Sequence, residues 1–229
     1  MKIAYVHKSS LIDYPGRISA VVFTIGCTFR CPYCHNPELV VHASGMTPIP
    51  DTEVLSFLEK RKGKLDAVVL SGGEPTMQPG LQGFMKKVKA MGFLVKLDTN
   101  GSRPEVLERV IAGGLADYVA MDIKAPPRKY ATASGTLVDI SRVHRSIEII
   151  MHGRVPYEFR TTFVPSLHEP EDIVEIARMI EGANVYAIQR FVPSKHIDRA
   201  FMHLRSPEEE ELVELAETCG RWVGRCLVR

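Results

Sequence analysis

Six short apolar segments alternate with amphipathic stretches along this chain. Each segment is rich in Val, Ile and Phe and is bounded by Gly or Pro, a pattern typical of buried β-strands. The predicted strands cover residues 18–25, 67–70, 94–98, 118–123, 158–164 and 185–191. Between them, apolar residues recur at helical spacing, as in Leu81, Phe84, Met85 and Val88, and a last helix is predicted over about 208–225. The pattern indicates an α/β protein.

The strands follow one another with helical segments between them, which predicts parallel strands joined by right-handed crossovers. Six such units are fewer than a closed eight-fold barrel requires, so we expect an open, partial (β/α)6 TIM-like barrel. A doubly wound sheet is the alternative that periodicity leaves open. No Ser/Gly linker or low-complexity tract interrupts the alternation, so we expect residues 1–229 to form a single domain.

Composition narrows the class of protein. Lys and Arg total 29 against 27 acidic residues, so the charge balance does not indicate a nucleic-acid or membrane surface. No apolar run approaches the roughly 20 residues of a membrane span, and the N-terminus has too little apolar length for a signal peptide. The five cysteines are an odd number with three of them clustered, which does not suggest a secreted disulfide framework. We therefore expect a cytoplasmic protein in a reducing compartment.

A loop over residues 26–37 contains the clearest candidate chemistry. Cys27, Cys31 and Cys34 are spaced C-x3-C-x2-C directly after the first predicted strand. Thiolates at this spacing can hold three corners of a 4Fe–4S cube, which leaves the fourth iron open to a small molecule. A zinc site with His35 as fourth ligand is one alternative, although no second ligand pair follows. Thiol exchange at the Cys-Pro-Tyr-Cys sequence within this loop is another, although it does not require Cys27.

Further polar residues lie where the other predicted strands end. They are Gly72, Gly73 and Glu74 after the second strand, Asp98, Thr99 and Asn100 at the third, Asp122 and Lys124 at the fourth, and Arg160 within the fifth. Because the carboxyl ends of parallel strands open onto one face, we expect these residues to line one mouth together with the cysteines. Taken singly, the Gly-rich and Asp-rich segments are also typical of ordinary turns, and an arginine often forms a surface ion pair.

Together these motifs resemble those of the radical S-adenosylmethionine (SAM) superfamily, and within it the enzymes that activate glycyl-radical enzymes. The resemblance rests on the cysteine spacing, on Tyr33 and on the His35-Asn36 pair, and it continues through the segments that follow the next three strands. It implies the partial barrel, one 4Fe–4S cluster, and SAM that is cleaved to methionine and a 5′-deoxyadenosyl radical. No cysteine lies between Cys34 and Gly72, so a ferredoxin-like insert with further clusters is not expected.

The resemblance also assigns contacts with SAM. The residues concerned are Tyr33, Gly72, Gly73, Glu74, Asp98, Thr99, Asn100, Asp122, Lys124 and Arg160. Within this set the Gly-Gly-Glu segment would receive the amino group, Arg160 would face the carboxylate, and the backbone of Tyr33 would face the adenine. His35 and Asn36 are expected to donate hydrogen bonds near the cluster sulfurs.

Five other residues have less definite interpretations. Asp13 lies in an Asp-Tyr-Pro-Gly segment where related activating enzymes carry Asp-Gly-Pro-Gly. Asp13 could contact a loop of a partner protein, or the segment could be a plain β-turn. We give these two interpretations equal weight. Lys195 and His196 receive no role. Cys219 and Cys226 are seven residues apart on one face of the last predicted helix, where we expect buried core thiols.

The resemblance implies an enzyme that generates a glycyl radical on a partner enzyme. The chain is most similar to the activating proteins of anaerobic ribonucleoside-triphosphate reductases, and the electron would come from a flavodoxin- or ferredoxin-type donor. Only short loops and one helix follow the sixth predicted strand, which suits the insertion of a glycine-bearing loop. A radical SAM enzyme for a small molecule, similar to a deazapurine synthase, is the alternative, and a non-enzymatic zinc-binding module is a distant one.

Overall fold

The computed structural model describes residues 1–229 as alternating strands and helices. The strands are β1 (Ile3–Ser10), β2 (Ser19–Thr24), β3 (Ala67–Gly72), β4 (Leu94–Thr99), β5 (Tyr118–Asp122), β6 (Tyr157–Phe163), β7 (Tyr186–Arg190) and β8 (Cys226–Val228). The helices are α1 (Glu38–Val41), α2 (Asp51–Glu59), α3 (Leu81–Ala90), α4 (Pro104–Ala112), α5 (Tyr130–Ser134), α6 (Ile140–His152), α7 (Pro170–Met179) and α8 (Glu209–Cys219). None of these helices is both long and apolar enough to cross a membrane.

The eight strands form one sheet in the order of the sequence, from β1 to β8. β1 is antiparallel to β2, and every pair from β2 to β8 is parallel. β1 and β8 are the two edges of the sheet and do not pair with each other. The predicted α/β class and partial, open barrel are confirmed, with one additional strand at each edge.

Alternating side chains of the strands divide the core into two parts. On β3, Val68 and Leu70 belong to the large cluster that packs under the helices, whereas Ala67 and Val69 belong to a small inner cluster with Tyr14. This alternation follows from the period of two of a β-strand. Burying one aliphatic side chain of this size contributes about 1.5–3 kcal/mol, so both faces of the sheet favour a single strand register.

The last predicted helix is wrong at its carboxyl end. α8 stops at Cys219, and Gly220 and Gly224 flank a turn that leads into β8. Cys219 is fully buried, whereas Cys226 is half-buried and lies on the edge strand, so the two thiols do not share a helix face. Glycine lowers helix propensity by about 1 kcal/mol relative to alanine, which favours the end of the helix at this point.

Candidate active site

The carboxyl ends of the parallel strands surround a cavity of about 480 Å³. It is lined by all the residues predicted to bind a metal or SAM: Cys27, Cys31, Tyr33, Cys34, Gly72, Gly73, Glu74, Asp98, Thr99, Asn100, Asp122, Lys124 and Arg160. The fold therefore brings together segments that are far apart in the sequence, from Cys27 to Arg160. This convergence is what a cofactor site in a parallel α/β fold requires.

Asp13 is the one predicted site residue outside this cavity. It lies in the connection between β1 and β2, before the first residue of β2, and therefore at the opposite end of the strand from the cysteine loop. The Asp13 carboxylate accepts a hydrogen bond from the Ser10 hydroxyl. The backbone N–H of Asp13 donates back to the hydroxyl oxygen of Ser10 at 3.3 Å. These contacts close a local turn, and contact with a partner stays a prediction.

The cysteine loop is fixed by backbone contacts to neighbouring elements. Gly26 adopts a φ of +91°, which favours glycine, and its N–H donates to the carbonyl of Leu39 at 2.8 Å. Further along, the N–H of Arg30 donates to the carbonyl of Ser134 at 2.8 Å. The side-chain amide of Asn100 lies 3.6 Å from the sulfur of Cys27, in hydrogen-bond geometry. The loop therefore presents its sulfurs from a supported backbone.

The residues after the third cysteine also support the loop. The side chain of Asn36 accepts a hydrogen bond from the Tyr5 hydroxyl at 3.3 Å. His196 was left without a role by the sequence, and its Nδ1 lies 3.4 Å from the carbonyl oxygen of Cys34. The His196 ring also packs edge-on against His35 at 5.3 Å. The connection after β7 therefore holds the cysteine loop in place.

The three loop thiols fit a cluster better than a single metal ion. Burial, followed by the nearby Glu74 carboxylate, raises the pKa of Cys27 to about 12, and burial raises the pKa of Cys31 to about 11. A buried thiolate therefore needs a cation, which a bound metal supplies. No three His, Cys, Asp or Glu side chains converge on one point, as the ligands of a zinc ion do. In a 4Fe–4S cluster each cysteine binds a different iron, so convergence is not required.

The two glycines after β3 are required by the protein's own backbone. Gly72 has a φ of +110°, and a Cβ on Gly73 would lie 1.9 Å from the carbonyl oxygen of Gly26. The N–H of Gly73 donates to the carbonyl of Thr24 at 2.9 Å. The turn therefore packs directly onto the end of β2, next to the cysteine loop. The side of the turn that a Cβ would occupy therefore contacts protein, and contact of the two glycines with the SAM amino group stays a prediction.

Glu74 joins this turn to the end of β4. Its side chain is fully buried and accepts hydrogen bonds from the Thr76 and Thr99 hydroxyls at 2.5 and 2.8 Å. Its second oxygen accepts from the N–H of Asn100 at 2.7 Å. Because the carboxylate is committed to these donors, its evident role is to hold two walls of the cavity together. Sequence could not show this link, because the donors on the second wall, Thr99 and Asn100, are 25 and 26 residues away.

Charged side chains from three adjacent strands form an alternating ladder along one wall. Asp98 forms an ion pair with Lys96 at 2.8 Å and accepts a hydrogen bond from Arg160 at 3.3 Å. Arg160 also donates to Asp122 at 2.7 Å, and Asp122 accepts from Lys124 at 3.1 Å. Burial opposes ionisation of both carboxyls, but Arg160 with Lys96 holds the pKa of Asp98 below its usual range. Arg160 and Lys124 lower the pKa of Asp122 in the same way.

Breaking this ladder should cost stability in a pH-dependent way. We expect Asp122→Asn to lower the free energy of unfolding of the cluster-free protein by about 2 kcal/mol near neutral pH, because it leaves Arg160 and Lys124 underpaired. The folded-state pKa of Asp122 lies below the unfolded value of about 3.9, so its stabilisation is complete above about pH 5 and is lost as pH falls.

Urea unfolding at several pH values measures this difference. The destabilisation should be equal at about pH 8 and about pH 6 and smaller at about pH 3.5. Glu59→Gln is the matched control, because Glu59 forms an exposed pair with Lys62 and its loss should cost less than about 0.5 kcal/mol. A destabilisation by Asp122→Asn that grows as the pH falls would contradict the assigned ionisation.

Among the cavity-lining residues that the sequence did not single out are four polar ones on or directly after the last three strands. They are Thr162 on β6, Gln189 and Arg190 on β7, and Arg229 directly after β8. Arg229 was missed because the predicted final helix hid the strand that precedes it. The other three lie near the ends of predicted strands, and the alternation of side chains along β6 and β7 could have placed Thr162 and Gln189 on the inner face.

Comparison with known proteins identifies the family. Residues 21–180 match the model of the Radical SAM superfamily. The chain is 38% identical over 226 residues to the putative glycyl-radical enzyme activating enzyme MJ1227 of Methanocaldococcus jannaschii, covering 96% of this chain and 92% of the relative. It is 33% identical over 132 residues to a 7-carboxy-7-deazaguanine synthase of Methanopyrus kandleri, covering 49% of this chain and 52% of the relative.

A solved structure supports the fold. Streptococcus suis SuiB superimposes with a TM-score of 0.66 at 12% identity, over 91% of this chain and 48% of that chain. At this identity the likeness concerns the fold alone. The family match covers most of the barrel, including the three loop cysteines and the charged ladder. The chain therefore belongs to the radical SAM superfamily, whose members use one 4Fe–4S cluster and SAM.

Proposed function

We propose that this chain is a glycyl-radical-enzyme activating enzyme that holds one 4Fe–4S cluster on Cys27, Cys31 and Cys34. The observation that carries the proposal is the single cavity in which these thiols meet the charged ladder. When bound, the cluster would supply the electron that cleaves SAM, and its fourth iron would remain free for the methionine part of SAM.

The ladder suits a zwitterionic ligand that carries hydroxyl groups. SAM has an ammonium and a carboxylate on its methionine part and two hydroxyls on its ribose. Asp98 and Asp122 can accept from hydroxyl or ammonium groups, and Lys124 can donate to the carboxylate. Arg160 already donates to both aspartates, so we assign it the role of fixing their positions as much as that of contacting SAM. Pairing these charges beforehand lowers the cost of ordering them when SAM binds.

Lys124 offers a direct test of the SAM site. We expect Lys124→Met to raise the dissociation constant for SAM by tenfold or more, because a hydrogen bond to a charged group contributes roughly 1.5–3 kcal/mol. The measurement is SAM binding to the anaerobically reconstituted protein, with iron content determined in parallel. Lys89→Met is the matched control, because Lys89 pairs with Asp117 away from the cavity. Unchanged SAM affinity in Lys124→Met would refute the assignment.

The macromolecular substrate is supported by the extent of similarity. The relative named as a glycyl-radical enzyme activating enzyme matches over 92% of its length, whereas the deazaguanine synthase matches over 52%. We propose an anaerobic ribonucleoside-triphosphate reductase as the partner and a flavodoxin- or ferredoxin-type protein as the electron donor. The second candidate, a radical SAM enzyme for a small deazapurine precursor, rests on the 33% identity to that synthase.

The proposal is tested by whether this chain converts the inactive reductase into an active one. The reduced protein and SAM are incubated with the inactive anaerobic reductase of the same organism, and deoxynucleotide formation is then measured. We expect reduction activity only when this chain, SAM and reductant are all present. If the reductase stays inactive while a deazapurine precursor is converted, the second candidate replaces the first.

A further inference from the structure

Four residues on or directly after the last three strands line a part of the cavity to which no cofactor contact has been assigned. Thr162, Gln189, Arg190 and Arg229 line it, and we call these four residues the β6–β8 wall. The residues assigned to the cluster and SAM lie instead on the loop after β2 and at the ends of β3 to β6. The β6–β8 wall is therefore available for the molecule on which the enzyme acts.

Three side chains of this wall have unused hydrogen-bonding capacity. Thr162 and Gln189 line the cavity, and neither side chain has a hydrogen-bond partner within the protein. Arg190 donates through Nε to the carbonyl of Pro207 at 2.9 Å, and its remaining guanidinium donors form no ion pair. Its charge therefore has no partner within the protein.

Arg229 differs from the other three because its charge is compensated. Its two terminal nitrogens donate to the fully buried Glu158 carboxylate at 2.8 and 2.6 Å. The wall thus offers one uncompensated cation and two neutral groups that can each donate and accept. Such a set can bond a ligand that presents carbonyl acceptors and N–H donors.

The β6–β8 wall also adjoins an opening in the barrel. β8 pairs only with β7, and it does not meet β1, so the sheet is open beyond this edge. Access from the amino-terminal ends of the parallel strands is blocked. Tyr14 is buried there in the inner cluster, with its ring 5.8 Å from that of Tyr118. The ammonium of Lys96, fully enclosed, lies 5.9 Å from the same ring. A chain segment attached to a large protein can therefore enter beside β8, and not through the end of the barrel that Tyr14 fills.

We propose that the β6–β8 wall binds the main chain of the partner's glycine-bearing segment. The inference rests on the function proposed above. Glycine has no side chain, so hydrogen bonds to the glycine itself can go only to its main-chain carbonyl and N–H groups. Gln189 can bond both groups of one peptide unit, and Arg190 can donate to a neighbouring carbonyl. Because the segment would enter at the open edge beside β8, the residues that bind it are expected on the last strands.

Deuterium transfer from the partner provides the test. The partner reductase is expressed with glycine deuterated at Cα, and deuterium in 5′-deoxyadenosine is followed by mass spectrometry. We expect Gln189→Leu to raise the KM for the partner about fivefold and Arg190→Met about tenfold, with little change in kcat. The SAM dissociation constant should stay within about twofold of that of the wild type. Lys195→Met is the matched control, because Lys195 is exposed, does not line the cavity and should leave KM unchanged.

Each other outcome overturns the inference in a distinct way. Wild-type KM in both variants, with deuterium transfer intact, would overturn the role of the wall and leave the proposed function standing. A loss of SAM affinity that matches the change in KM would place the wall in the SAM site. The absence of deuterium transfer from the partner to wild-type product, together with turnover of a deazapurine precursor, would overturn both proposals.

Discussion

Replacing any one of Cys27, Cys31 and Cys34 with alanine is expected to abolish the intact cluster and SAM cleavage. The anaerobically reconstituted wild type should bind about four irons and four sulfides per chain, and each variant should fall to background. The physical reason is that each thiolate holds a different iron, so one missing ligand exposes a second iron to solvent. Iron and sulfide analysis, with assay of 5′-deoxyadenosine, measures the effect.

Cys219→Ala and Cys226→Ala are the controls for this experiment. Neither thiol lines the cavity, since Cys219 is buried against α7 and Cys226 lies on β8. Both variants should retain iron and sulfide at the wild-type level. Full occupancy by zinc with no iron in the wild type, or four irons bound by all three loop variants, would contradict the assignment.

Gly73→Ala is expected to have the largest effect on stability. The added Cβ would lie 1.9 Å from the carbonyl oxygen of Gly26 and 2.6 Å from its carbonyl carbon, both of which are backbone atoms. Either the start of the cysteine loop at Gly26 or the turn after β3 must move, and we expect a loss of about 3 kcal/mol or more in the free energy of unfolding. Urea unfolding of the cluster-free protein measures it.

A second glycine provides the matched control. Gly83 lies within α3, and a Cβ there would meet no heavy atom within 4 Å. Gly83→Ala should stabilise the protein by about 0.5–1 kcal/mol, because alanine has the higher helix propensity and restricts the unfolded chain. Equal stability of Gly73→Ala and the wild type would show that the close approach between Gly73 and Gly26 is not required.

The fold and the location of the site could be predicted from the sequence because of one property of parallel sheets. Parallel strands place their carboxyl ends on one face, so residues 72–74, 98–100 and 122–124 could be brought to the cysteine loop before any coordinate was known. Edge strands were harder to predict. β1 lacks a clear alternation, with His7, Lys8 and Ser9 all exposed, and β8 has three residues. Strand periodicity needs a longer segment than β8 provides.

Roles of individual polar groups were less accessible to sequence than their positions. Glu74 lines the cavity as expected, yet its carboxylate already accepts hydrogen bonds from protein donors at both oxygens. Asp13 stands beside Tyr14, whose ring fills the inner cluster of the barrel. Both findings depend in part on tertiary contacts between distant segments, which motifs and spacing do not encode.

The most direct test of the central claim is electron paramagnetic resonance of the partner after activation. The reduced protein, SAM and the anaerobic ribonucleotide reductase of the same organism are incubated without oxygen, and the spins are quantified. The account predicts a doublet glycyl radical signal that requires SAM and is lost in Cys34→Ala. No glycyl signal, while SAM is cleaved and the partner is intact, would contradict it.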